Sequence, residues 1–237
     1  THIGSQILET TPFVEALGKL APIVEELKKA YAIEFFSIGG GVGIVYRGTL
    51  ESGAPEWWQR ADADGGKRIG FDDYARAVVP LLKPLGLKIL LEPGRSLVGN
   101  AGALLASVLY VKKTPAKNFV ITDAGMNDLI RPALYEGHHE IVPLKEPAPS
   151  AASGPVDVVG PVCESGDFFA QDRELSEVSA GEQIALLSAG AYGFVMASNY
   201  NSRRLPAEIL VEAEKAVVVR ERQTWHDLIA GERVPGR

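Results

Sequence analysis

The chain has 237 residues and a formal charge of −6, with 46% apolar and 23% charged residues. This is the composition of a globular protein, and the negative balance disfavours nonspecific attraction to nucleic acid or anionic membrane. No apolar run is long enough to span a bilayer, and the single cysteine, Cys163, excludes an internal disulfide framework and fits a reducing, cytoplasmic setting.

In chain order, Thr1-His2-Ile3-Gly4-Ser5-Gln6 carries no leader pattern and reads as the interior of a longer protein. The first clear element is a helix from about Pro12 to Tyr31. Thr11 suits its N-cap, Pro12 suits its first turn, and Phe13, Leu17, Leu20, Val24 and Leu27 recur on one face. A buried strand follows from Ile33 to Ile38, ending in Gly39-Gly40-Gly41. Glu51 to Lys67, with adjacent Trp57 and Trp58, reads as a surface loop. A helix at about Asp72 to Leu82 presents Tyr74, Val78 and Leu81, and Pro80 should kink or shorten it. The strand Leu87 to Leu91 comes next. Helices alternating with continuous apolar strands imply βα units and a parallel sheet.

After about Ala103 short β-type runs take over: 108–111, 119–122, 140–143, 156–159, 184–187 and 216–219. They imply a mostly β domain, sandwich or barrel. The Pro/Ala/Ser-rich stretch from Glu146 to Pro155 reads as a loop within it.

Several segments can carry chemistry. Glu92-Pro93-Gly94-Arg95 stands at a strand end, joining a carboxylate, a rigid turn and a guanidinium suited to phosphate or carboxylate. Gly39-Gly40-Gly41-Val42-Gly43 can bring backbone N–H groups close to a phosphate. A dinucleotide fingerprint fails there, because Tyr46 stands where its third glycine belongs. His2 and Ser5 pair a stacking ring with a small hydroxyl. Cys163, flanked by Glu164 and Asp167, suits a proton donor better than a permanent thiolate. Arg131 and Tyr135 stand four positions apart and can share one face of a turn or helix. Tyr192 sits among small residues that leave its hydroxyl presented. His138-His139 suits a turn better than a chelate, and no metal-ligand spacing occurs.

Together these segments, with Asp123-Ala124-Gly125-Met126-Asn127-Asp128-Leu129, resemble the diaminopimelate decarboxylases. These are pyridoxal-phosphate enzymes of the alanine-racemase-like fold, related to ornithine and arginine decarboxylases. The resemblance implies residues 1–103 as the C-terminal portion of a TIM-like (β/α)8 barrel that binds the cofactor. Residues 104–237 would then be a Greek-key β-sandwich or barrel. It implies decarboxylation of meso-2,6-diaminopimelate to L-lysine and CO2, the last step of lysine biosynthesis. His2 would stack on the cofactor ring. Ser5, Gly40, Gly41 and the Pro93-Gly94-Arg95 backbone would hold its phosphate, and Glu92 its pyridine nitrogen. Arg95, Arg131 and Tyr135 would hold the substrate's distal carboxylate, and Glu164 its ammonium group. Tyr192 would touch both cofactor and substrate, and Cys163 would donate a proton. Cys163 and Glu164 would serve the opposite subunit of a homodimer. The family's Schiff-base lysine matches no lysine here, so the 237-residue chain is expected to be inactive alone. The alternatives are a sister enzyme acting on ornithine, arginine or carboxynorspermidine, a catalytically dead regulatory homologue, and a nucleotide-binding oxidoreductase resting on the glycine loop alone.

Overall fold

The computed structural model describes residues 1–48, 69–145, 147 and 150–236. The stretch from Glu51 to Lys67, with its tryptophan pair, lies outside them. The described residues form two compact units, Thr1–Ala103 with Leu187–Ala191, and Leu104–Leu186 with Tyr192–Arg237.

The first unit is built on two helices and a pair of strands. Helix α1 (Thr11–Tyr31) starts one residue earlier than the pattern implies, with Thr10 at the cap, and stops where Ala32 turns left-handed at φ 48°. Phe13, Leu17 and Val24 are buried, whereas Leu20 is half-buried and Leu27 is exposed. Helix α2 (Phe71–Leu82) buries Tyr74, Val78 and Leu82. Leu82 therefore takes the deep position expected of Leu81, keeping a strict four-residue spacing along the buried face. Pro80 stands inside α2; the α-helix ends two residues later and continues as a 3-10 turn, Lys83–Leu85. The Phe13 and Tyr74 rings meet edge to face with centroids 5.0 Å apart.

Strands β1 (Phe35–Ser37) and β2 (Lys88–Leu90) pair in parallel, with Ser37 opposite Leu90. Both are shorter than the apolar runs that contain them. Their C-terminal ends lead into the glycine loop and Glu92, so the two motifs emerge side by side. A short helix, α3 (Gly94–Val98), follows.

The strip Leu187–Ala191 belongs to this unit because backbones cross there. The Ala189 N–H donates to the Gly102 carbonyl at 2.7 Å and the Gly190 N–H to the Gly99 carbonyl at 3.1 Å. A Cβ on Gly190 would stand 1.9 Å from the Val98 oxygen, so only glycine permits the approach.

The second unit is a six-stranded mixed sheet. Its strands are β3 (Leu104–Lys113), β4 (Asn118–Thr122), β5 (Ile141–Pro143), β6 (Ser153–Val159), β7 (Phe168–Ser176) and β8 (Gln183–Leu186). They run in the order β5-β8-β3-β4-β6-β7. Neighbours are antiparallel except β4 and β6, which are parallel. The outer strands β5 and β7 also touch, so the sheet curls nearly closed. Its interior holds Val108, Val120, Val158, Ile184 and Leu186, all almost wholly buried. Ser153, Gly154 and Pro155, expected in a loop, already belong to β6. Helix α4 (Arg131–Tyr135) packs on β7. A separate hairpin, β9 (Glu208–Glu212) with β10 (Lys215–Arg220), and helix α5 (Trp225–Ile229) complete the unit.

Candidate functional site

In the first unit the glycine loop is the meeting point of three segments. The Gly40 N–H points to His2 Nδ1 at 3.4 Å, the Glu92 N–H donates to the Gly39 carbonyl at 2.9 Å, and the Ile7 N–H donates to the Gly41 carbonyl at 2.9 Å. The glycines are needed for this convergence. A Cβ on Gly40 would lie 2.2 Å from the Glu92 oxygen, and one on Gly41, at φ 94°, would lie 2.4 Å from the Gly4 oxygen. His2, Glu92 and the glycines therefore share one surface.

The side chains on this surface are oriented. Ser37 Oγ donates to Glu92 Oε1 at 2.7 Å and accepts from the Gly39 N–H at 3.2 Å. Glu92 Oε2 is thereby left to accept another donor. Arg95 Nη2 donates to Ser5 Oγ at 3.0 Å, so the hydroxyl proton of Ser5 points elsewhere. Arg95 Nη1 donates to the Tyr46 hydroxyl, and its guanidinium lies 5.6 Å from the centroid of that ring. Tyr46 is buried, which explains the residue that breaks the dinucleotide pattern: it seats the arginine. Pro93 and Gly94 connect Glu92 to Arg95, and the Gly94 N–H closes the turn on the Glu92 carbonyl at 2.9 Å.

In the second unit Cys163 and Glu164 share one exposed turn. Tyr200 donates its hydroxyl to Glu164 Oε2 at 3.4 Å. Arg131 and Tyr135 both lie on α4 but diverge. The Tyr135 side chain is 62% exposed, while Arg131 is 7% exposed and donates from Nη1 to His139 Nε2 at 2.7 Å. His139 is wholly buried, and Arg173 grips its carbonyl at 2.8 Å and His138 Nδ1 at 2.9 Å. The histidine pair thus anchors two arginines. Tyr192 holds a left-handed backbone at φ 60° with its side chain partly exposed.

The segment 123–129 is a polar knot. Asp128 accepts from the Gly125 N–H at 2.9 Å and the Asn127 amide at 3.0 Å, with Arg203 Nη2 at 3.8 Å. Burial pushes its carboxyl above the ordinary range, against the pull of these donors and of Arg203 and Arg222. Arg203 also donates to Asn127 Oδ1 at 2.8 Å.

The family model for the pyridoxal-dependent decarboxylase C-terminal sheet domain matches residues 21–190. The chain belongs to the pyridoxal-dependent decarboxylases. It is 43% identical to the diaminopimelate decarboxylase of Aquifex aeolicus over 96% of this chain and 50% of that protein. Among solved structures, the diaminopimelate decarboxylase of M. jannaschii matches with a TM-score of 0.84 at 38% identity, over 99% of this chain and 51% of that one. The Helicobacter pylori diaminopimelate decarboxylase complexed with L-lysine matches with a TM-score of 0.79 at 42% identity, over 97% and 52%. The chain spans about half the length of the relatives it matches.

Residue types alone do not reveal Ser37, Tyr46, His139 and Asp167. Each acts by holding a neighbour, and a serine before a glycine run or a tyrosine after it carries no spacing signal. Asp167 stands in the cysteine motif, but sequence gives its carboxylate no partner.

Proposed function

We propose that this chain forms part of an enzyme that decarboxylates meso-2,6-diaminopimelate to L-lysine and CO2. The observation that carries the reading is the convergence of Glu92 and His2 on the glycine loop, with Ser5 and Arg95 bonded to each other in the same unit. Their chemistry fits pyridoxal phosphate. The Ser5 hydroxyl, the Gly41 N–H and the Arg95 guanidinium suit an anion. The open oxygen of Glu92, oriented by Ser37, suits a protonated ring nitrogen, and His2 offers a flat ring beside it. When bound, the cofactor supplies the electron sink for loss of CO2.

The chain's own residues then divide the work. Glu92 keeps a proton on the ring nitrogen. Tyr135, exposed on α4, is the group offered to the substrate's distal carboxylate, and Glu164 takes the distal ammonium, while Arg131 is turned inward and held by His139. Tyr192 lies against both molecules. Cys163 returns a proton to the carbon that has lost CO2. In this reading the protein is a cytoplasmic homodimer in which Cys163 and Glu164 serve the partner's site. The first unit is the closing part of a (β/α)8 barrel and the second a Greek-key sheet domain. The cofactor-binding lysine lies on a segment outside these 237 residues.

The test is CO2 release by the intact protein from meso-diaminopimelate, ornithine, arginine and carboxynorspermidine. Turnover of diaminopimelate alone is expected, falling at least about a hundredfold in Glu92→Gln through loss of the charged partner. Turnover of ornithine in preference, or none of any substrate, would refute the reading.

A further inference from the structure

We propose that Asp167 is the positioning residue that sets Cys163 and Glu164 in place, by clamping two loops through their backbones. Both of its carboxylate oxygens are committed. Oδ1 accepts from the Met126 N–H and Oδ2 from the Val162 N–H, each at 2.6 Å. The residue is 4% exposed, where a charged acceptor with good partners holds most strongly. Its main chain closes the same turn: the Asp167 N–H donates to the Glu164 carbonyl at 3.0 Å, and the Gly160 N–H to the Asp167 carbonyl at 3.1 Å. Cys163 and Glu164 are therefore strung between two fixed points, Val162 and Asp167.

The seat is shaped for this carboxylate. A Cβ on Gly160 would stand 2.5 Å from both oxygens, and one on Gly125 would stand 3.0 Å from Oδ1. Asparagine cannot replace it, because an amide offers one acceptor oxygen and would aim its NH2 at the second N–H. The proposal rests on the roles read above for Cys163 and Glu164, since Asp167 acts only through them.

The experiment compares Asp167→Asn and Gly125→Ala in the intact protein; the second variant crowds the carboxylate without altering it. Amide exchange at Met126 and Val162 is expected to rise about tenfold, a local loss of about 1.4 kcal/mol. The kcat is expected to fall about tenfold or more, as a displaced group does. KM should rise, the solvent deuterium isotope effect on kcat should grow as proton delivery slows, and cofactor absorbance should stay unchanged. A purely structural part for Asp167 would reduce the amount of active protein and leave the isotope effect alone. Unchanged amide exchange or an unchanged isotope effect in cooperatively folding variants overturns the proposal. Unchanged turnover in Cys163→Ala and Glu164→Gln overturns instead the reading beneath it.

Discussion

Asp128 illustrates how a single side chain records its surroundings. Its carboxyl is raised mainly by burial, so the folded protein holds a proton that the unfolded chain has already released. The stability this group contributes is complete below the ordinary carboxyl pKa of about 4 and is lost as pH climbs through the raised value. Compared with Asp128→Asn, the wild type should therefore lose stability as pH rises through that window, read from urea midpoints in a pH series. A pH-independent difference would contradict it. At Gly40 the expectation is steric. Gly40→Ala forces a methyl into the Glu92 carbonyl and should cost about 1–3 kcal/mol, measurable by the same titration. The sequence brought forward His2, Glu92, Arg95 and Cys163 as candidates, because each stands in a motif that carries the family resemblance. It hid Ser37 and Asp167, whose importance lies in which N–H or carboxylate they face.

Elements were legible where one period dominates. Both helices follow from their apolar spacing, and most strands of the sheet from short β-type runs. Strand β7 escaped because its middle reads Gln171-Asp172-Arg173-Glu174, with Asp172 left-handed at φ 48°. The reason is local: Asp157, almost buried between strands, accepts the Asp172 N–H at 2.8 Å and is paired with Lys117 at 3.0 Å. A polar insertion satisfied by a buried carboxylate breaks the alternation that marks a strand. Between helices the energetics are simpler. Phe13 is buried on α1 against Tyr74 of α2, so Phe13→Ala should cost about 3–5 kcal/mol in urea unfolding. A cost under about 1 kcal/mol would mean that the α1–α2 contact is not a core contact.

At the scale of the whole molecule, unpaired surfaces decide behaviour. β1 and β2 form a two-stranded parallel sheet, and neither outer edge meets another strand among the described residues. Parallel strands are ordinarily covered on both sides, and open edges invite association. The β9–β10 hairpin adds Ile209, Leu210, Val211, Val217, Val218 and Val219, each at least half exposed. The 237-residue chain by itself should associate as its concentration rises in sedimentation equilibrium, and a monomer throughout would contradict this. Mixed with pyridoxal phosphate, it should show no absorbance of lysine-bound cofactor; such absorbance with turnover would place the lysine within these residues.

The crossing of Gly102 and Gly190 has a practical corollary for dissection. Severing the polypeptide after Ala103 strands Leu187–Ala191, and with it the partner of Asn100 at Ser188, on the wrong fragment. Neither half can be liberated intact by one cut, so the two units are interleaved at the level of the gene.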